Sequence, residues 1–235
     1  MTRRICLSVA NSIYDPLGIA IPITIKLKHG MRELFNPDLD LTWDTPLPDQ
    51  LQEEWKNKIR MLGQTPQVEF NRCLRPDNST DNYSIVVYFD GSDAAFSCVL
   101  YAVWHMPDGT NQARFITAKA KIGQESEKST PRRELNGGVL ATRATVRVVT
   151  TLEKKPDSVI ILSDSETILA AREKSTGFFT EYFSNRVSEL WDNKTKIEEF
   201  CPVEDWYHVS SEDNAADLPS RVDATAEDIK LNSTW

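Results

Sequence analysis

Four acids in this chain stand where chemistry could be done. Asp90 closes the β-prone run "YSIVVYFD" (83–90), and Asp164 closes the apolar run "DSVIILSD" (157–164). Sheet folds tend to place their chemistry at the C-terminal ends of strands, where the chain leaves the buried layer. Glu134 lies near the start of a long helical run from Pro131 to Leu152, and Asp217 lies in "EDNAADLPSR", after the last β-prone stretch. Carboxylates are hard oxygen donors, suited to Mg²⁺ or to Mn²⁺ in its place. Two such ions about 3.5–4 Å apart stabilise both oxygens of an in-line phosphoryl displacement, and holding them takes three or four carboxylates converging from different elements. Each acid alone has a plainer reading. Asp, Gly and Ser after a strand commonly make only a turn, as "DGSD" (90–93) would. An acid early in a helix favours the positive helix terminus by about 0.3–1 kcal/mol. With Thr130 as N-cap and Pro131 as first helical residue, Glu134 falls one position too late to be the reciprocal glutamate of a capping box.

The elements that must position these acids follow from hydrophobic period. Residues 84–89 and 96–104 read as a hairpin and 113–121 as a third strand. The helix 131–152 carries its buried stripe at Leu135, Val139, Val146 and Val149. The continuous apolar run 157–164 suits the centre of a covered sheet. A helix from about 165, another near 178–192, a strand at 203–209 and a last short helix complete an α/β domain on a mixed sheet. Upstream, 16–35 and 47–62 read as helices, the second with Leu51, Trp55, Ile59 and Leu62 on one face. The polar stretch "RPDNSTDN" (75–82) separates the two parts.

Composition narrows the function classes. The chain has 235 residues, and its 40% hydrophobic content is enough for one good core. Four scattered cysteines form no CxxC pair, which argues against a zinc site or disulfide framework and for a reducing, intracellular compartment, cytoplasmic or nuclear. The longest apolar run, 17–25, contains a proline and falls short of the roughly 20 residues of a membrane span. No secretory signal precedes it. The net charge of −8 stands against a grip on phosphate backbones unless local basic patches or bridging metals supply it. Ser163 and Ser165 lack a G-x-S-x-G elbow, and the chain has no Tyr-x-Asp-Asp polymerase pair and no Asp-Thr/Ser-Gly protease word.

The order strand-Asp, helix-Glu, strand-Asp, late Asp resembles ribonuclease H. "YDPLGIAIPITIK", "FDGSDAAFSCVLY", "AKAK", "STPRREL", "LSDSE", "SNRV" and "WYHVSSEDNAADLPSR" together resemble the Pol polyprotein of BEL/Pao long-terminal-repeat retrotransposons, from about Arg4 to Trp235. The resemblance implies an RNase H-like domain at 82–221, a mixed five-stranded sheet flanked by helices. A smaller, mainly helical region at 1–75, like a reverse-transcriptase thumb or connection, precedes it, and a C-terminal tail at 222–235 follows. It implies that Asp90, Glu134, Asp164 and Asp217 hold two Mg²⁺ ions and that the RNA strand of an RNA–DNA hybrid is hydrolysed internally, leaving a 3′-hydroxyl. Asp90 and Asp164 would be the core ligands, with Glu134 toward the scissile bond and Asp217 toward the nucleophile. The implied partners are the hybrid and the rest of a Pol polyprotein (reverse transcriptase and integrase), within a virus-like particle if the element is active.

Departures from the family pattern are local. Arg133 replaces the usual apolar residue before the glutamate, and Gly137 and Gly138 interrupt a helix, at about 0.5–1 kcal/mol each relative to alanine. These glycines allow a close approach of sheet or substrate, or they mark relaxed selection. His208 reads as a structural strand residue, and Asp93, Glu166 and Asp213 as surface acids. Lys119, Lys121, Arg132 and Arg133 either track phosphates or form a solvated face. Two rival functions remain: a non-catalytic retroelement remnant that binds a nucleic acid or protein, and a 3′–5′ exonuclease on the same fold.

Overall fold

In the computed structural model of the chain, the described residues are 1–63, 71, 73–123, 129–171, 180–221, 223, 224 and 228. The β-prone runs form five strands: β1 (Tyr83–Gly91), β2 (Ala95–His105), β3 (Asn111–Ile122), β4 (Ser158–Ser163) and β5 (Val203–His208). Their spatial order is β3-β2-β1-β4-β5. The first three are an antiparallel meander, and β4 and β5 run parallel to β1. β1 is therefore central. Its odd-numbered residues Ile85, Val87 and Phe89 are fully buried under helices α4 (Thr130–Thr151) and α6 (Glu181–Glu198), in the largest core cluster with Leu135, Val139, Leu190 and Trp206.

The opposite face is covered from upstream in the chain. Ile21 and Ile25 of α2 (Ile21–Leu34) pack with Ala95, Val99, Tyr101, Ala118 and Ala120 of the sheet and with Ala215 and Ala216, which precede the short helix α7 (Asp217–Ser220). A third cluster joins Cys6 of α1 (Arg3–Ser12), Leu27, Met31 and Leu34 of α2, Trp55 of α3 (Asp49–Gly63), and Leu47, which precedes α3. The expected α3 stripe is buried at Trp55, while Leu51 and Leu62 pack half-buried against it.

Three local readings need correction. α1 was not expected. A helix spanning 16–35 was expected, but α2 starts only at Ile21, because the Asp15 carboxylate accepts hydrogen bonds from the amides of Gly18, Ile19 and Ala20 at 2.8–2.9 Å and holds 15–20 as a loop. That loop docks on the edge strand: the Leu17 carbonyl accepts from the Ala118 amide and the Thr117 hydroxyl, both at 2.8 Å. Gly18 is held at φ +87°, a left-handed conformation suited to glycine. The N-cap of α4 is Ser129 rather than Thr130, because the Ser129 carbonyl accepts from the amides of Arg132 and Arg133. Pro131 is then the second helical residue and Glu134 the fifth, beyond the first turn, so the macrodipole reading of Glu134 weakens. In the α4 stripe Leu135, Val139 and Val149 are buried and Val146 is half-buried. Of the helix expected near 178–192, residues 178–179 lie outside the described residues, and α6 runs on to Glu198. Of the tail 222–235, only 223, 224 and 228 are described.

Candidate metal centre

The topology brings the four acids to one end of the sheet. Asp90 is the penultimate residue of β1, Asp164 follows β4, Glu134 projects from α4 and Asp217 opens α7. Two glycines set how closely α4 lies against β1. A Cβ on Gly137 would stand 2.6 Å from the Asp90 carbonyl oxygen, and one on Gly91 2.2 Å from the Glu134 amide nitrogen. The glycine at 137 is thus explained by close approach of helix and sheet. Gly138 is not under the same constraint, since its Cβ would meet Leu190 and Phe89 side chains at an ordinary 3.5 Å.

Each carboxylate is engaged by a protein donor. The Ser220 hydroxyl donates to Asp90 Oδ2 in a short hydrogen bond. The Ser165 hydroxyl donates to Glu134 Oε2 at 2.7 Å. Asp164 accepts from the Ser211 hydroxyl at 2.6 Å and from Asn214 Nδ2 at 3.1 Å, and the same amide reaches the Phe89 carbonyl at 3.1 Å. Arg221 forms an ion pair with Asp217. Among the described residues, no three His, Cys, Asp or Glu side chains converge closely enough to share one ion in this arrangement.

The electrostatics nonetheless tie the four together. Asp90, only 8% exposed, has its pKa pushed up to about 6, chiefly by burial, with Asp164 and Asp217 adding to the rise and Ser220 opposing it. Burial also raises the Glu134 pKa, against the Ser165 hydrogen bond, and the charge of Asp164 raises it further. The Asp217 pKa rises through burial, opposed by Arg221 and reinforced by Asp164 and Asp223. Asp164 thus acts on each of the other three. Partly buried carboxylates that repel one another have a deficit of positive charge, and their all-oxygen donor set suits a hard divalent cation. Asp90, Glu134, Asp164 and Asp217 are the side chains that could hold it.

The neighbouring acids and bases separate from this cluster. Asp93, Glu166 and Asp213 are exposed, as expected of surface acids. His208 is the last residue of β5, paired with Ser163 and exposed, so the strand reading holds without a buried role. Arg133 is only 4% exposed and donates to the Ser92 carbonyl at 3.1 Å and to Asp93 at 3.4 Å. It braces the β1–β2 turn and is not placed to track phosphates. The guanidinium of Arg132 lies 4.9 Å above the Tyr182 ring. Sequence reasoning missed the donors Ser165, Ser211, Asn214, Ser220 and Arg221. All but Ser165 sit in the word "SSEDNAADLPSR", where hydroxyls and an amide crowd around Asp217, and that crowding was the available signal.

A central β1 flanked by antiparallel β2 and β3 on one side and parallel β4 and β5 on the other, with α4 and α6 on one face and acids at the shared strand ends, defines an RNase H-like fold. The chain belongs to the Pao retrotransposon-like RNaseH-like domain family, which it matches over residues 2–165. No curated protein matches it. Among solved structures it is similar to the N-terminal RNase H domain of a Mycobacterium tuberculosis protein, at 12% identity over 64% of this chain and 96% of that one, with a TM-score of 0.41. It is similar to LC11-RNase H1 in complex with RNA/DNA hybrid at 14% identity, over 56% and 88% of the two chains, with a TM-score of 0.34. It is also similar to the foamy viral protease-reverse transcriptase in complex with dsDNA, at 9% identity and a TM-score of 0.48. There the match covers 88% of this chain and 41% of the viral one. Among the described residues no helix is long and apolar enough to cross a membrane.

Proposed function

We propose that the chain is a ribonuclease H that hydrolyses internal phosphodiester bonds in the RNA strand of RNA–DNA hybrids. The observation that carries this reading is the electrostatic coupling of Asp164 to Asp90, Glu134 and Asp217, four acids delivered from four elements to one sheet end. Asp90 and Asp164 are the central ligands, with Glu134 and Asp217 flanking them. Mg²⁺, or Mn²⁺ in its place, would neutralise these carboxylates and stabilise the charge that develops on the phosphate during displacement. Ser165, Ser211, Ser220 and Asn214 fix the orientation of the carboxylates, and Arg221 neutralises Asp217 on its outer side. A 2′-hydroxyl contact distinguishes RNA from DNA at such a site. In the same reading, residues 1–75 are a reverse-transcriptase thumb or connection region, 82–221 the ribonuclease domain and 222–235 a tail. The partners are then the hybrid and the remaining parts of a Pol polyprotein.

The second reading is an inactive remnant that binds a nucleic acid or a protein, which the family match does not favour. An internally labelled hybrid separates the readings. Internal cuts in the RNA strand that require Mg²⁺ and vanish with EDTA and with Asp164→Asn support the ribonuclease. Intact hybrid in the presence of folded protein supports the remnant. Shortening from an end alone would mark an exonuclease.

A further inference from the structure

A groove runs along the outer side of α4, between that helix and strand β3. It consists of two adjoining cavities, about 180 and 530 Å³ in volume, that share Lys121, Leu140 and Arg143. Although the chain carries 35 acidic and 27 basic residues, the lining includes Lys119, Lys121, Arg143, Arg147 and Arg186 and, among the described residues, no Asp or Glu. Glu189 is the acid that reaches these cations, pairing with Arg143 and with Arg186. Lys119 donates to the Pro16 carbonyl at 3.2 Å. Lys121 and Arg147 are exposed and make no ion pair among the described residues. The wall nearest Glu134 holds a second anomaly. Asn136 is 4% exposed, its carbonyl accepts from the Tyr182 hydroxyl at 3.0 Å, and its Nδ2 is a buried donor with no partner. A buried amide left unsatisfied costs about 1–3 kcal/mol, which an acceptor oxygen would relieve.

We infer that the groove between β3 and α4 is a track for the sugar-phosphate backbone of a nucleic-acid strand. This rests on the ribonuclease reading for the identity of the strand. The spacing of the cations fits a regular polyanion. Lys119 and Lys121 lie on one side of β3, about 6.6 Å apart at 3.3 Å per residue. Arg143 and Arg147, one turn apart on α4, are separated by about 6 Å along the axis. Both separations are of the order of the distance between neighbouring phosphates along one strand. Arg143 and Arg147 follow Glu134 by 9 and 13 residues. At 1.5 Å and about 100° per residue they stand about 14 and 20 Å along the helix from it and on the opposite, β3 side, whereas Glu134 meets Ser165 after β4. An acidic peptide would find the same cations, but its charges need not recur at this interval.

Binding can be read without cleavage. Fluorescence anisotropy in EDTA, with the full chain and RNA–DNA hybrids of increasing length, gives affinity and its salt dependence. The expected result is an affinity that rises with hybrid length and falls as salt is raised. Lys121→Ala with Arg147→Ala should lower affinity on the order of tenfold and reduce the slope of log K against log salt by about 2. Both residues are exposed, so the double variant should keep its fold, checked by circular dichroism. Wild-type affinity and slope in the folded double variant would overturn the inference. So would binding of poly-glutamate in the absence of hybrid binding. Cleavage that fails while this length- and Lys/Arg-dependent binding persists would refute the ribonuclease reading and leave the track standing. Cleavage that succeeds with an unaltered salt slope would do the reverse.

Discussion

The adjacent glycines of α4 should respond to the same substitution with opposite signs. Gly138→Ala places a methyl 3.5 Å from Leu190 Cδ2 and Phe89 Cε2, ordinary contact in the core. Helix propensity alone favours alanine there by about 1 kcal/mol, so stability should rise by about that much, or about 2–4 °C in Tm for a chain of this size. Gly137→Ala gains the same propensity but sets its methyl 2.6 Å from the Asp90 carbonyl oxygen and 3.2 Å from its carbon. These are backbone atoms of the central strand, so the helix must back away by several tenths of an ångström. Overpacking of this kind costs about 1–3 kcal/mol, which leaves a net loss of up to about 2 kcal/mol. The displacement also moves Glu134, three residues earlier on the same helix, away from Asp90, so hybrid cleavage should fall more than stability does. Urea denaturation of the two single variants and the parent, followed by circular dichroism, gives the comparison directly. If both variants are stabilised, or both destabilised by similar amounts, the carbonyl contact does not set the separation of α4 and β1.

Other outcomes follow from the burial of Asp90, the docking loop and the second core. The pKa of Asp90 is raised from 3.8 to about 6, so folding favours its protonated form. The associated stability is present below about pH 4 and is lost as pH rises through 6, a difference of about 3 kcal/mol. Asp90→Asn should flatten that decline in a pH series of chemical denaturation and raise stability at pH 7. A variant that declines as steeply as the parent would place the cause elsewhere. Mg²⁺ titrated at pH 7 should raise the Tm of the parent and leave Asp90→Asn nearly unchanged, as differential scanning fluorimetry would read; an equal rise in both would remove Asp90 from the ion's ligands. Gly18→Ala must adopt φ +87° and would place a methyl 2.1 Å from the Ala118 carbonyl oxygen, so the loop should lift from β3 and expose its edge. Size-exclusion chromatography should then show concentration-dependent self-association, and a strictly monomeric variant would contradict this. Ile25→Ala empties a fully buried site between α2 and the sheet and should cost about 2–4 kcal/mol in urea denaturation; a loss under 1 kcal/mol would mean that α2 is not part of the cooperative core.

The strands were legible because their runs are long and strongly β-prone. "YSIVVYFD", "AFSCVLYAVW" and "SVIILS" each fill an observed strand, and the two aspartates at strand ends follow from them. Glu134 and Asp217 lie on no strand and were singled out by the resemblance to ribonuclease H, and Gly137 stood out as a residue out of place in a helix. The donors that hold the acids were not legible. Ser220 lies 130 residues from Asp90, and Ser211 47 from Asp164, so only the folded topology joins them. α1 carries a helical apolar stripe at Cys6, Leu7 and Ala10 that packs on the third cluster, so its signal was present in the sequence and was overlooked. The residues before α2 misled because the apolar run begins at Leu17, whereas Asp15 holds the next turn open by side-chain bonds that compete with the helix. Arg133 looked like a substrate contact by type alone, and its burial under the β1–β2 turn depends on tertiary packing that no local pattern encodes.

The docking of Leu17 on β3 and of Ile21 and Ile25 on the sheet has a consequence for how the chain depends on its own continuity. The helices before Gly63 are held by a buried surface and by paired backbone groups as well as by the peptide that leads to Tyr83. A protease cut within that connecting stretch would therefore separate two segments that stay assembled. The break would be invisible to sizing under native conditions and plain on a denaturing gel. The two segments made separately would be expected to find one another and complement in trans, so that chain continuity at this point is a matter of effective concentration rather than of architecture.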